Sequence, residues 1–249
     1  LGHLREEIFT CDNVLANQQQ QIVRKQVYGA MEYQYELMKV IDIDLSEFLK
    51  MPLPEVHRRL NTAQHDLGKE WHEKKGTSLD FYKSNETYLF DLSLFNRDQN
   101  YYENRLQPLL GRRGEKILDI GCGIGTLVYM MAEQGNEVVG WDINQRAIDF
   151  CRFKKQKYNL KGEFTTEKPD FGQFTLITAV DVLEHIEDLQ GFLKDLGNGM
   201  KQGAKLYHSD YFPRDKAWPM HYEEHAEKLN DYLRSAGIPP WDERWCQRV

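Results

Sequence analysis

The chain has 249 residues, of which 41% are hydrophobic and 29% charged, so it can bury one full-sized core and has no room for two large independent domains. A net charge of −7 argues against tight binding to a phosphate backbone, because that affinity comes largely from Lys and Arg. No window approaches the roughly 18 consecutive apolar residues of a membrane-spanning helix.

The first third of the chain has helical spacing of its apolar residues, from about residue 20 to residue 110. Four stripes predict four helices, formed in turn by Val23, Val27, Met31, Met38 and Ile41; by Val56, Leu60, Ala63, Leu67 and Trp71; by Phe81, Tyr88, Leu92 and Phe95; and by Tyr102, Leu106 and Leu109. This part carries 13 Lys and Arg against 17 Asp and Glu, so it contains no basic arm. We predict a helical region over residues 1–110.

After Glu115 the pattern changes to short β-rich runs that alternate with helical stretches. The predicted strands are residues 116–120, 137–141, 162–166, 174–180 and 204–211, and the predicted helices are residues 126–134, 144–158, 188–200 and 223–236. This alternation is typical of a parallel sheet with crossover helices, which we place at residues 111–249. The Lys-rich run 152–161 is interpreted as the solvent-exposed face of a helix.

A glycine-rich loop joins the first predicted strand to the helix that follows it. Its glycines are Gly121, Gly123 and Gly125, in the order G-x-G-x-G. Glycine permits both a tight turn and a close approach of the backbone to a ligand, and the helix N-terminus offers unpaired N–H groups. The loop therefore predicts a nucleotide-type binding site.

Two residues beside this loop indicate the charge of the ligand. Thr126 stands where a dinucleotide-binding G-x-G-x-x-G motif has its third glycine. Asp119 lies two residues before Gly121, and a carboxylate there repels a pyrophosphate but suits a positively charged amino group. The second predicted strand ends at Asp142, 17 residues after Gly125, where such sheets place an acid that binds ribose hydroxyls.

Three segments together resemble the class I S-adenosylmethionine-dependent methyltransferases: LDIGCGIG, VVGWDIN and FTLITAVDVLEHIED. Within that superfamily they are similar to the small-molecule group that includes ubiquinone-biosynthesis O-methyltransferases. The resemblance covers residues 116–237. It implies an α/β fold with a Rossmann-like, doubly wound, mostly parallel sheet, an N-terminal helical region acting as a lid, S-adenosylmethionine as cofactor and a small-molecule methyl acceptor.

The resemblance also assigns roles to individual residues. The methionine part of the cofactor would contact Asp119 and the backbone of Gly121, Cys122, Gly123 and Gly125. Asp142 would bind the ribose, Ile143 would pack on the adenine, and Thr166 and Glu167 would lie near the adenine amino group. Val180 and Asp181 would line the methionine side, and Tyr102 and Arg105, just before the first strand, would close over the cofactor or the acceptor.

Methyl transfer from a sulfonium requires mainly alignment and a dry site, but a hydroxyl acceptor must also lose a proton. His185 is the predicted base, with Glu184 beside it, although both residues have the alternative role of capping the next helix. A second polar group follows the fifth strand and includes Tyr211, a further catalytic candidate. His221 and His225 have the i, i+4 spacing of a helical metal site, with His208 or Asp210 as further ligands, but surface histidines are commoner and we predict no metal.

Other functions stay open at this point. A nucleic-acid or protein methyltransferase is disfavoured by the acidic charge and by the sequence DVLEH after the fourth strand, where base amino-methylases carry N/D-P-P-Y/F. Thr126 and Asp119 disfavour a nicotinamide-dependent oxidoreductase. A non-catalytic module that only binds the cofactor is compatible with every motif, and so is a homodimer.

Four scattered cysteines, Cys11, Cys122, Cys151 and Cys246, form no C-x-x-C pair, which fits reduced thiols and a cytoplasmic protein. The sequence begins at Leu1 rather than Met, so targeting is open. Only residues 238–249 follow Gly237, which is short for the two closing strands that the resemblance implies.

Overall fold

The fold is given by a computed structural model, which describes Gly29 and residues 36–97, 105–212 and 219–249. Before the first strand lie the helices α1 (Ile41–Leu49), α2 (Leu53–Glu73), α3 (Ser78–Ser84) and α4 (Thr87–Phe95). The predicted second stripe is confirmed, because all five of its residues are buried on α2. Of the first stripe, Val23, Val27 and Met31 lie outside the described residues.

The third predicted helix is instead two helices, α3 and α4. Thr77 and Asp80 form a capping box that begins α3, and α3 ends at Asn85. The Asn85 side chain then accepts a hydrogen bond from the Tyr88 amide (2.8 Å) in the first turn of α4. Polar caps on both sides of this break therefore override the continuous apolar spacing.

The fourth predicted helix is reduced to a short 3₁₀ turn, Gln107–Leu109, in the described part of this stretch. Pro108 lies inside it and removes a backbone donor, which limits regular helix. Leu106 and Leu109 are buried as the stripe predicts. Tyr102, the other member of that stripe, lies outside the described residues.

The sheet has six strands in the described residues, in the order β3-β2-β1-β4-β5-β6. Its strands are β1 (Lys116–Ile120), β2 (Glu137–Trp141), β3 (Glu163–Thr165), β4 (Leu176–Val180), β5 (Lys205–Ser209) and β6 (Trp245–Gln247). The first five are parallel, and β6 pairs antiparallel with β5. This confirms the predicted α/β class with a doubly wound, mostly parallel sheet.

The helices that follow the strands are α5 (Thr126–Glu133), α6 (Gln145–Tyr158), α7 (Leu189–Gly199) and α8 (Leu229–Ser235). They cover both faces of the sheet, and side chains alternate along β1 accordingly. Ile117 packs in the core with α5 and α6, whereas Leu118 packs in the core with α7 and α8. The strand order reverses between β1 and β4, so the crevice at their carboxyl ends is where such sheets bind ligands.

The N-terminal helices pack onto this sheet layer. Apolar residues of α1, α2 and α4 belong to the same buried cluster as α5 and α6. Asp44 of α1 is fully buried and accepts hydrogen bonds from Lys157 (2.9 Å) and Tyr158 (2.6 Å) at the end of α6. A boundary near residue 110 stays a prediction.

The C-terminal stretch differs from the prediction in its helix. The helix predicted at residues 223–236 is a 3₁₀ turn, Glu223–His225, followed by the shorter α8. Within residues 219–249, β6 pairs with β5, and an isolated antiparallel bridge between Pro240 and Cys246 closes a very short hairpin in the twelve residues that the sequence leaves for closing strands. None of the described helices combines the length and hydropathy needed to cross a bilayer. The described cysteines Cys122, Cys151 and Cys246 are free thiols in buried positions.

The Lys-rich run on α6 is not uniformly exposed, because Lys154 is only 1% exposed. Its ammonium lies 5.1 Å from the centre of the Tyr129 ring and 5.2 Å from that of Phe150. Burial lowers the pKa of Lys154 to about 8, although Cys151 and Asp44 act in the opposite direction. The interpretation of the whole run as a solvated face is therefore wrong at this position.

We expect Lys154→Met to stabilise the protein more at pH 7 than at pH 10.5. The folded state binds fewer protons than the unfolded state between the folded pKa of about 8 and the ordinary value of 10.5, so wild-type stability rises through that window. The difference in unfolding free energy between variant and wild type should shrink by about 2 to 3 kcal/mol across it. Urea unfolding at both pH values measures this. Lys161→Met, at an exposed lysine, is the control, and an equal difference at both pH values would contradict the burial of the charge.

Candidate cofactor site

The loop from Gly121 to Gly125 turns sharply between β1 and α5. Gly121, Gly123 and Gly125 all have positive φ, at 64°, 51° and 80°. A Cβ on Gly121 would lie 2.5 Å from Val182 Cγ2, so the close packing against the segment after β4 also requires glycine. The predicted reason for these glycines, a tight turn with close approach, agrees with this geometry.

Asp142, at the end of β2, is bound to the glycine loop. Its Oδ2 accepts a hydrogen bond from the Gly123 amide (2.9 Å), and its Oδ1 accepts one from the Asn144 amide (2.8 Å). Burial raises the pKa of Asp142, and these backbone bonds act against the rise. The carboxylate thus fixes the loop and stands at the crevice.

Asp119 is buried near the end of β1, beside β4. Its Oδ1 accepts a hydrogen bond from the Thr178 hydroxyl (2.7 Å). Burial raises the pKa of Asp119 to about 7, and Asp142 adds to that rise while Thr178 opposes it. Two acids therefore lie at the ends of neighbouring strands on either side of the glycine loop.

A narrow cleft lies above the loop, with a free volume of about 50 Å³. The sheet side is lined by the loop together with Asp119, Thr126, Val180 and Asp181, and the opposite side by Tyr88, Leu92, Phe95 and Asn96 around α4. Leu92 lies closest, 3.3 Å from where a Cβ on Gly123 would stand. Sequence reasoning had not assigned Tyr88, Leu92 or Asn96 to the site, because their spacing identifies only a helix face.

A sequence model described as a methyltransferase domain matches residues 95–245, more than half of the chain and all of the strands around this cleft. The chain belongs to this methyltransferase-domain family. Among curated proteins, the ubiquinone biosynthesis O-methyltransferase of Idiomarina loihiensis is 28% identical over 124 residues, which cover 47% of this chain and 50% of that protein. The enzyme of the same name from Escherichia coli is 28% identical over 116 residues, 44% of this chain and 48% of that protein. The chain therefore matches these relatives over about half of their length.

Solved structures give the same fold. A SAM-dependent methyltransferase from Aquifex aeolicus is 22% identical with a TM-score of 0.52, covering 65% of this chain and 98% of that one. The phosphoethanolamine N-methyltransferase 2 of Haemonchus contortus, in complex with S-adenosyl-L-methionine, is 16% identical with a TM-score of 0.53, covering 66% and 45%. At these identities the likeness shows the fold alone.

Several other predicted site residues of the methyltransferase domain lie around the same crevice. Val180 and Asp181 line the cleft, and Cys122 lies within its loop wall. Ile143 packs beside the cluster of Trp71, Phe81 and Tyr82. Thr166 and Glu167 follow β3, where Glu167 is exposed and the Thr166 carbonyl accepts a hydrogen bond from the Trp141 indole (3.3 Å). The roles of these residues toward a cofactor stay predictions.

Arg105 reaches the cleft from the segment before β1. Its Nε donates a hydrogen bond to Asp181 Oδ1 (2.8 Å), and the guanidinium lies 5.5 Å from the centre of the Phe95 ring. Asp181 itself has a positive φ of 53°. Arg105 therefore links the N-terminal segment to the end of β4, and Tyr102 lies outside the described residues.

The segment after β4 forms a 3₁₀ turn, Leu183–His185. The alternative in which Glu184 and His185 cap the next helix is not supported, because Asp188 caps α7 by accepting a hydrogen bond from the Gly191 amide. Glu184 is buried, and burial together with Asp210 and Asp181 raises its pKa well above the ordinary value. Burial and then His221 lower the pKa of His185 to about 3, so its imidazole is neutral. Because such an imidazole is a weak proton acceptor, the general-base role stays a prediction.

The structure separates the other predicted polar residues. His221 and His225 do not share a helix face, because His221 precedes the 3₁₀ turn and His225 ends it. The His221 ring instead lies 4.5 Å from the His185 ring, while His225 Nε2 is 3.1 Å from the Glu187 carbonyl oxygen. His208 is buried against Asp210 (2.6 Å), so two of the residues weighed as candidate metal ligands pair with each other.

Tyr211, the third catalytic candidate, presents a side chain that is 49% exposed. Its backbone amide, rather than its hydroxyl, makes the contact with Glu184, donating to Oε1 (2.9 Å). Tyr82 was missed as a site residue, and its hydroxyl lies 2.8 Å from His185 Nδ1. That pair is 103 positions apart in sequence, so no local pattern indicates it.

Proposed function

We propose that the chain binds S-adenosylmethionine between α4 and the carboxyl ends of β1, β2 and β4, and transfers its methyl group to a hydroxyl of a small molecule. The proposal rests mainly on two buried acids, Asp119 and Asp142, which lie on either side of the glycine loop. The glycines of that loop have positive φ, and the chain belongs to the methyltransferase-domain family. The oxygen acceptor is supported by relatives named ubiquinone biosynthesis O-methyltransferase.

The residues of the cleft fit this cofactor. Asp119 is a buried carboxylate that an α-ammonium group would hold in its charged form. Asp142 would accept hydrogen bonds from the ribose hydroxyls beside its bonds to the loop. The Thr126 hydroxyl lines the cleft and is buried without a hydrogen-bond partner among the described residues, which leaves it available to the ligand. Ile143 would pack on the adenine, near Thr166 and Glu167.

When bound, the cofactor supplies a methyl group on a positively charged sulfur: an acceptor oxygen forms the bond to carbon while the carbon–sulfur bond breaks and its electron pair goes to sulfur. The chain contributes alignment and exclusion of water, because α4 covers the loop and Val180 and Asp181 form the opposite wall. Glu184, His185 and His221 would then lie on the acceptor side. The acceptor proton leaves on that side toward solvent.

The narrow cleft supports a lid role for the N-terminal helices. Pockets for ligands of this size occupy roughly 300–1,000 Å³, far more than the space present beneath α4. In this proposal Leu92 and its neighbours on α4 move away from the glycine loop when the cofactor binds. We therefore include α4 as a lid over the cofactor in the proposed function.

Arg105→Ala is expected to weaken S-adenosylmethionine binding about threefold to tenfold. The ion pair with Asp181 is partly exposed and contributes roughly 1 kcal/mol to holding the cleft wall in place. Arg112→Ala removes an ion pair with Glu115 of similar exposure but away from the cleft, so it is the matched control. Unchanged affinity and turnover in Arg105→Ala would remove Arg105 from the site.

The proposed activity is tested by following release of S-adenosylhomocysteine with panels of phenols, aliphatic alcohols and the corresponding amines. We expect release to depend on a hydroxyl acceptor and to be absent without one. Cofactor binding with no release for any acceptor would show a non-catalytic binding module. Release only with amines, proteins or nucleic acids would contradict a hydroxyl acceptor.

A further inference from the structure

Three side chains from two distant segments meet beside the end of β4: Glu184, His185 and His221. A ligand atom from each lies within 4.8 Å of the other two, and this grouping was found within the described residues. One carboxylate and two imidazoles form the ligand type that holds catalytic zinc with a fourth position open. The sequence motif had grouped His221 with His225 instead.

The carboxylate of this cluster is only half satisfied. Glu184 is 1% exposed, and its Oε1 accepts a hydrogen bond from the Tyr211 amide. Its Oε2 is buried and has no hydrogen-bond partner in the described part of the chain, and the same is true of Asp181 Oδ2 and Asp210 Oδ1. A buried carboxylate oxygen without a donor is costly unless the group is protonated or a cation binds to it.

The hydrogen bonds of His185 set its tautomer for metal binding. Its Nδ1 lies 3.2 Å from the Met220 carbonyl oxygen, which can only accept, so Nδ1 carries the hydrogen. The Tyr82 hydroxyl lies 2.8 Å from the same nitrogen and orients the ring from α3. The lone pair of Nε2 is then available as a ligand, the arrangement in which an outer carbonyl fixes a metal-binding histidine.

The loop that carries His221 is held against Glu184 by the backbone. The Tyr222 amide donates a hydrogen bond to the Glu184 carbonyl oxygen (2.8 Å). The His221 and His185 rings contact edge to face. Two segments 36 positions apart are thus fixed relative to each other before any ligand binds.

We propose that Glu184, His185 and His221 bind a divalent transition-metal ion, for which Zn²⁺ is the probe, with an open position for the acceptor hydroxyl. The catalytic part of this proposal rests on the proposed function. A metal-bound hydroxyl loses its proton to water more readily than a free one. A lone pair on the deprotonated oxygen then forms the bond to the methyl carbon as the carbon–sulfur bond breaks and its electron pair goes to sulfur. The acceptor class is therefore a phenol or alcohol whose reacting oxygen can itself ligate the metal.

The test is direct measurement of metal binding by chelator-treated full-length protein, using calorimetry with Zn²⁺ and the visible spectrum of bound Co²⁺. We expect one ion per chain and at least a tenfold loss of affinity in Glu184→Gln and in His221→Ala. His65→Ala, which removes an exposed histidine, should bind the ion as wild type does. Thermal unfolding and S-adenosylhomocysteine binding of each variant confirm that the fold and the cofactor cleft are intact.

Each outcome of the metal-binding measurements supports or contradicts the proposed metal site. Absence of Zn²⁺ and Co²⁺ binding, or binding equal in wild type, Glu184→Gln and His221→Ala, would overturn the metal site. Binding of Mg²⁺ in preference to both would also overturn it, because imidazole ligands favour transition metals. Full methyl transfer by metal-free protein would overturn the catalytic role of the ion while leaving the proposed methyl transfer intact. One bound ion in a protein that methylates nothing would support the metal site and contradict the proposed function.

Discussion

Replacing Asp142 with Ala is expected to lower the affinity for S-adenosylmethionine at least 100-fold. The change removes the acceptor for the ribose hydroxyls, and hydrogen bonds to a charged group contribute about 1.5 to 3 kcal/mol each. It also leaves the buried amides of Gly123 and Asn144 without their acceptor, so the protein should lose roughly 2 to 4 kcal/mol of stability. Calorimetric titration and urea unfolding measure the two effects.

Asp149→Ala is the matched control, because it removes a carboxylate from the exposed side of α6. It should bind the cofactor as wild type does. Asp142→Asn keeps one oxygen acceptor and the same shape, so it tests binding if Asp142→Ala does not fold. A folded Asp142→Ala protein with wild-type affinity would show that the ribose lies elsewhere, and Asp142→Asn should lose affinity because only one acceptor oxygen remains for the loop amides and the ribose.

Asp119→Asn is expected to weaken cofactor binding by roughly 10-fold to 100-fold at pH 7.5 and to abolish its pH dependence. In the unliganded protein the pKa of Asp119 is raised to about 7, so the carboxyl is protonated below that value and must release its proton to pair with an α-ammonium. Wild-type affinity should therefore fall about tenfold per pH unit below 7. Above about pH 8 the ligand's own amino group loses its charge, so titrations between pH 5.5 and 7.5 are informative.

Asp231→Asn, at a carboxylate that is 82% exposed, controls for the loss of a negative charge. It should keep the wild-type pH slope. Proton release can be checked independently by repeating the titration in buffers of different ionisation enthalpy. If the cofactor affinity of Asp119→Asn falls with pH as steeply as that of wild type, another group causes the pH dependence. Asp119 would then not contact the ammonium group.

The strands and the glycine loop could be predicted because their information is local. The first strand and the loop that follows it are contiguous, so strand propensity, positive-φ glycines and the acid at Asp119 are all visible in ten residues. The parallel direction of the first five strands then follows from the alternation with helices, whereas their order is known only from the structure. The form of the closing stretch after Gly237 was left open by the sequence, and the structure shows β6 on β5 with a very short hairpin closed by an antiparallel bridge between Pro240 and Cys246.

The acceptor side could not be predicted in the same way. The His221–His225 spacing has the period of a helix, but the chain forms a 3₁₀ turn there and His221 meets His185 instead. That contact and the one from Tyr82 depend on how separate elements pack, which no local spacing encodes. Burial of Lys154 was missed for a related reason, because the run around it is polar while the rings of Tyr129 and Phe150 lie against that one position.

The most direct test of the whole account is a crystal structure of the protein with S-adenosylhomocysteine. We predict that the amino group of the ligand lies within hydrogen-bond distance of Asp119, that the ribose hydroxyls contact Asp142, and that α4 has moved away from Gly123. A ligand bound outside the cleft, or one whose ribose and amino group contact neither acid, would contradict it.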